Sequence, residues 1–191
     1  MRKVIVGEYV SLDGVMEGPN PGDPYEHAGW ADPYNSEEAK KIVSDSMSKG
    51  DALLLGRVSY QSYAAAFSSQ TGGFADVING FHKYVVSTTL KKAEWNNSTL
   101  INGNIAEEIA KLKQQPGKGI GVSGSGTLVQ TLMQHDLIDE YVLLVCPLVL
   151  GSGKRLFSDV SKTNLKLIEA KPLSSGVVVL TYQPDKRDGF K

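Results

Sequence analysis

Residues 119–157, GIGVSGSGTLVQTLMQHDLIDEYVLLVCPLVLGSGKRLF, change hydrophobic pattern several times without a break. A short apolar run, Ile120 and Val122, meets a glycine-rich turn, Gly124-Ser125-Gly126-Thr127. Leu128, Val129, Leu132, Met133 and Leu137 then recur at helical spacing, with polar Gln130, Thr131, Gln134 and His135 between them. A strand-like run from Tyr141 to Cys146 is closed by Pro147, and a second glycine turn, Gly151-Ser152-Gly153, follows. Strand, glycine turn, helix, strand is half of a nucleotide-binding α/β domain. Backbone N–H groups at the helix N-terminus favour an anion such as pyrophosphate, and glycine lets the anion come close. The same turn fits a structural strand-to-helix loop with Ser125 or Thr127 as N-cap. The turn alone leaves these two readings level.

A chain of 191 residues is long enough for one α/β domain with a full core and shows no seam for two. We read one domain over 1–191, with its core at about 2–183 and a polar tail at 184–191. Twenty Lys and Arg balance 21 Asp and Glu, which argues against a nucleic-acid partner. Cys146 is the only cysteine, so a disulfide framework is excluded and a reducing compartment fits. His27, His82 and His135 are widely separated, and no metal site is expected. The apolar run from Tyr141 to Leu150 is too short to span a bilayer. Val4-Ile5-Val6 behind Arg2 and Lys3 is no signal peptide, so the expected location is cytoplasmic.

The remaining chain alternates strands and helices. A strand over 2–10 leads into a loop over 11–35, which opens with the turn Ser11-Leu12-Asp13-Gly14 and holds a proline- and glycine-rich run over 18–24. A loop this long is usually functional or disordered. For Trp30, near its end, a buried anchor accounts for the indole better than a substrate wall does. Ser36 begins a helix with Glu37 and Glu38 in its first turn and Ala39, Ile42, Val43 and Met47 on its apolar face; Gly50 stops it. A strand at 52–55 precedes Gly56-Arg57-Val58-Ser59-Tyr60 and a helix to about 67. A short helix over 74–81, strands at 83–87 and 99–101, and a helix at 104–114 follow. Strands at 165–170 and 177–182 flank Ser174-Ser175-Gly176, an antiparallel hairpin. The expected fold is a three-layer α/β sandwich with a mostly parallel sheet and an antiparallel C-terminal hairpin. Ligands in such sheets sit beyond the carboxyl ends of the strands. That edge gathers Ser11–Gly14, Gly56-Arg57, Ser87-Thr88 and Gly124–Thr127.

Three motif matches fail on context. Gly119 to Gly124 fits GxGxxG by letter, but no strand precedes it. Ser125 stands where a nucleophile elbow needs its second glycine. Gly153-Lys154 is followed by Arg155, and the first Walker glycine is missing.

Five stretches carry a resemblance when taken in order. They are Ser11-Leu12-Asp13-Gly14; Leu54-Leu55-Gly56-Arg57 with Ser59-Tyr60; Val85-Val86-Ser87; Gly124-Ser125-Gly126-Thr127-Leu128; and Leu137-Ile138-Asp139-Glu140 through Gly153. Over about residues 2–183 the chain resembles the dihydrofolate-reductase-like superfamily, in the branch of the RibD C-terminal domain, the reductase of riboflavin biosynthesis. The resemblance implies an oxidoreductase using NADPH. By that analogy Gly56 lets the dinucleotide lie against the strand end, Arg57 and Ser59 bind the 2′-phosphate, Ser87 and Thr88 line the adenosine site, and Gly124, Ser125, Gly126 and Thr127, with Leu128 behind them, hold the pyrophosphate. A cis peptide is implied at Gly124-Ser125. Ser11, Leu12, Asp13, Gly14 and Trp30 would face nicotinamide and a small-molecule substrate of the ribosylamino-pyrimidine kind. Asp13 is equally well read as a turn-former ahead of Gly14. A homodimer is also implied. Thr88 stands where dihydrofolate reductases carry a second arginine, and the deaminase domain of the riboflavin enzymes is absent from this sequence. A non-catalytic nucleotide-binding module on the same fold is the competing reading. Glu37, Glu38 and Asp45 all lie off the inward face of their helix, so no proton donor is assigned and weak dihydrofolate reduction is expected.

Overall fold

The computed structural model describes residues 1–185. Its strands are β1 (Val4–Ser11), β2 (Gly50–Gly56), β3 (His82–Val86), β4 (Ser98–Ile101), β5 (Gly119–Val122), β6 (Glu140–Cys146), β7 (Leu165–Pro172) and β8 (Val178–Pro184). The helices are α1 (Glu37–Ser48), α2 (Arg57–Phe67), α3 (Gly73–Gly80), α4 (Ile105–Gln114) and α5 (Gly126–Gln134). One sheet holds all eight strands in the order β4-β3-β2-β5-β1-β6-β8-β7. β1 to β6 pair in parallel, and β8 returns antiparallel to both β6 and β7. This is the mostly parallel sandwich with a C-terminal hairpin read from the sequence. Of the polar tail, residues 186–191 lie outside the described residues.

Local signals explain the helix ends. Ser36 Oγ accepts the Ala39 N–H at 3.2 Å and starts α1, and the Asn104 side chain accepts the Glu107 N–H and starts α4. At α5 the outcome differs: Ser125 occupies the N-cap position, yet its side chain makes no cap hydrogen bond. Its hydroxyl points elsewhere, as described below. At the hairpin, Gly176 has φ +86 and its N–H donates to Leu173 O, closing the expected turn.

Alternation along the strands divides the core into two layers. Val4, Val6, Leu54, Ile120 and Val122 face α4 and α5, meeting Ile109, Leu112, Val129 and Leu132. Ile5, Val142 and Leu144 face α1 at Ala39, and Leu53, Leu55 and Val85 face Tyr60 of α2 and Ile78 of α3. A buried side chain of this size contributes roughly 1.5–3 kcal/mol. Burial on both faces makes β2 and β5 read as continuous apolar runs. Among the described residues no helix is long and apolar enough to cross a membrane.

Candidate functional site at the carboxyl edge

Chain routing opens a crevice at one place. From β1 the chain runs through α1 to β2, over one face of β5; from β5 it runs through α5 to β6, over the opposite face of β1. The two connections diverge between neighbouring strands, so the carboxyl ends of β1 and β5 flank a topological switch point. The loop after β5 is the glycine turn.

Hydroxyl groups hold that turn. Ser59, on the first turn of α2, donates from Oγ to Gly124 O at 2.8 Å. Ser125 Oγ donates to Ser59 Oγ at 2.8 Å and accepts the Gly56 N–H at 2.9 Å. Ser59 and Ser125 are both buried. The Ser59 hydroxyl thus works inside the turn, and a 2′-phosphate could take it only by breaking the bond to Gly124. Gly124 is exposed and left-handed, with φ +69, and a Cβ there would lie 3.3 Å from Ser59 Oγ. Gly126 is tight for another reason: a Cβ would lie 2.8 Å from the Met16 sulfur. The expected cis peptide at Gly124-Ser125 is corrected, since the described chain has none. The left-handed Gly124 turns the chain with an ordinary trans bond.

The other expected positions divide. Arg57 is exposed at the start of α2, and among the described residues its guanidinium donates only to Gln61 Oε1, at 3.1 Å. Thr127 is exposed on the first turn of α5, and Leu128 is buried in the core. Ser87 accepts the N–H groups of Thr89 and Leu90 and shapes the loop after β3, leaving Thr88 exposed.

Ser11 to Gly14 form a latch. Ser11 Oγ accepts the Val15 N–H and donates to Asp13 Oδ1 at 2.6 Å. The Asp13 oxygens also accept the N–H groups of Leu150 and Gly151, at 3.1 and 2.9 Å, with the Arg155 guanidinium 3.6 Å away. The second glycine turn is therefore a partner for this latch. Tyr25 donates to Ser152 O, and Glu26 accepts from Ser152 Oγ, so the proline-rich loop is fastened to the same turn. Trp30 is buried and its indole N–H donates to Glu17 O at 2.7 Å, which makes it an anchor. Leu12 remains 67% exposed at the latch tip.

The Ser11 hydroxyl, followed by the Leu150 N–H, holds the Asp13 carboxyl down to about 2. Because the folded value lies below the unfolded one, the latch adds stability above about pH 4 and loses it as pH falls through 2. Thermal unfolding of Asp13→Asn should show a lower midpoint than the parent at pH 6, with the gap closing toward pH 2. A constant gap would mean that the carboxylate charge is not what fastens the loops.

Two buried ionisable groups escaped the reading of the sequence. Lys83 is fully buried; Nζ donates to Asn79 O at 3.0 Å and sits 4.4 Å from the Trp95 ring centroid. Burial pushes its pKa down to about 8, while the carbonyl at the end of α3 and the indole face favour the ammonium. Glu8 is 5% exposed, and its Oε1 has no hydrogen-bond partner among the described residues. Both were visible as charged residues on a buried strand face: Glu8 alternates with Val4, Val6 and Val10, and Lys83 with Val85. Two shallow depressions lie away from this edge. One, about 410 Å³, is at the amino end by Arg2, Lys49 and Lys118; the other, about 700 Å³, is beside Trp95.

The family model for the RibD C-terminal domain matches residues 2–179. The chain belongs to that family. Another relative of this RibD C-terminal domain protein is the uncharacterized protein YyaP of Bacillus subtilis (strain 168), 33% identical over 187 residues, covering 95% of this chain and 94% of YyaP. A pyrimidine reductase-like protein from Corynebacterium diphtheriae superposes with a TM-score of 0.70 at 11% identity, over 97% of this chain and 93% of that one. A dihydrofolate reductase from Enterococcus faecalis, complexed with NADP(H), superposes with a TM-score of 0.64 at 11% identity, over 96% and 97%. These likenesses establish a fold shared by RibD-type and dihydrofolate-type proteins.

Proposed function

We propose that this protein is an NADPH-dependent reductase of a small heterocyclic substrate of the ribosylamino-pyrimidine kind. One arrangement supports the reading. Four adjacent parallel strands, β3, β2, β5 and β1, bring Ser87-Thr88, Gly56-Arg57, Gly124–Thr127 and Ser11–Gly14 to one edge in that order. With about 4.8 Å between strands the loops span roughly 14 Å, a strip suited to an extended dinucleotide. Arg57, exposed and without a carboxylate partner among the described residues, would take the 2′-phosphate. The turn at Gly124 to Thr127 would take the pyrophosphate, with Ser59 and Ser125 keeping it in shape. NADPH, when bound, supplies the hydride. The Ser11–Gly14 latch and Met16 border the end where the substrate would lie. The α1 acids are committed elsewhere: Glu37 pairs with Lys40, Asp45 with Lys41, and Glu38 accepts from Ser174.

NADPH at a hundred times its dissociation constant should raise the melting temperature by about 5 °C or more. No shift at millimolar NADPH would remove the reductase reading. NADPH oxidation should then follow with an aminouracil ribosyl phosphate and be weak with dihydrofolate. Binding without oxidation of either would favour a nucleotide-binding module.

A further inference from the structure

Glu8 lies in the carboxyl half of β1, on the face of Val4, Val6 and Val10. Val6 pairs with Val122 across the β1–β5 boundary, so two residues further on Glu8 is level with Gly124. The carboxyl therefore lies buried at the switch point, beneath the glycine turn. Gly124 and Ser125 N–H groups face it, yet Oε1 has no hydrogen-bond partner. No ion pair to Glu8 occurs among the described residues. Register across β6 places Leu143 beside it. From α2, Tyr63 is the titratable group that faces it; its hydroxyl donates to Ser123 Oγ at 3.1 Å, and burial pushes its pKa up, so it stays neutral.

Asp13, in the turn after β1, is unsuited to giving up a proton at neutral pH, because its latch holds it ionised. Glu8 is the opposite case: desolvation pushes its carboxyl up to about 8, against the pull of the Gly124 and Ser125 N–H groups. An acid buried in this way is neutral at pH 7 and can serve as a general acid.

We propose that Glu8 is the proton donor of this site, giving its carboxyl proton to the substrate atom that gains the electron pair during reduction. The inference rests on the reductase reading above. Reduction of a C=N or C=O group adds a hydride at carbon and moves the π-electron pair onto nitrogen or oxygen. That atom takes the Glu8 proton, an N–H or O–H bond forms, and a carboxylate remains at Glu8. Water reprotonates it before the next turnover.

Carboxyl-¹³C NMR on glutamate-labelled protein tests this, with Glu8→Gln to assign the resonance. Free protein should show Glu8 protonated at pH 7. Saturating NADP⁺ should give a lower Glu8 midpoint than saturating NADPH, by about one pH unit, because only the oxidised ring carries a positive charge. A Glu8 resonance already ionised at pH 7 would overturn the proposal. So would equal midpoints with the two nucleotides, while their binding left the dinucleotide reading intact. If neither nucleotide shifted any resonance, both readings would fall. Should the Gln variant not fold, the wild-type titration still decides: a glutamate carboxyl with a midpoint near 8 supports the proposal, and a protein with every glutamate ionised at pH 7 overturns it.

Discussion

Arg57→Ala should weaken NADPH binding by roughly 10- to 100-fold and leave NADH binding within about threefold. The asymmetry follows from chemistry, because only NADPH carries the 2′-phosphate. Arg57 presents an exposed fork of donors whose recorded contact is Gln61, so little has to be given up when a phosphate arrives. Thr88 cannot share the load as a second cation would. Dissociation constants for both nucleotides, measured at one ionic strength, decide the matter. Equal losses would assign Arg57 to the shape of the turn. A Lys at 57 should recover part of the affinity, since it keeps the charge and loses the fork.

Gly124→Ala should abolish measurable NADPH binding and destabilise the fold by about 1–2 kcal/mol. Two effects coincide at this residue. A side chain is disfavoured at φ +69, and the added Cβ would press on Ser59 Oγ at 3.3 Å. Relief by moving Ser59 would break its bond to Gly124 O and loosen Ser125. Gly72→Ala separates the effects. Gly72 has φ +93, with nothing within 4 Å of an added Cβ. That variant should carry a comparable stability loss and bind NADPH normally. If Gly124→Ala binds as well as the Gly72 variant, the turn at β5 is not where the nucleotide rests.

The sheet was legible because both its periods are plain. Val4, Val6 and Val10 alternate, Leu53 to Leu55 run continuously, and α1 and α4 carry polar N-caps ahead of their apolar faces. The edge where the loops meet followed from strand direction alone. The roles of single hydroxyls did not follow. Ser125 stands at a helix start and looks like a cap, yet its oxygen is turned toward Gly56 and Ser59 by a helix 66 residues away in sequence. Asp13 was balanced between turn-former and ligand contact because its partners, Leu150 and Gly151, are brought to it only by tertiary folding. The parity of Glu8 with Val4, Val6 and Val10 places its carboxyl on the buried face, but what it meets there, the turn after β5, is set only by tertiary folding.

The bond between Ser59 and Ser125 fixes more than a loop. It holds the starts of α2 and α5 against each other. Each helix start carries roughly half a positive charge. Packed together beside Arg57, they create a local positive potential in a chain whose net charge is −1. A polyanion would thus be drawn to one point of an otherwise faintly repelling surface, and its capture should slow steeply as salt screens that field.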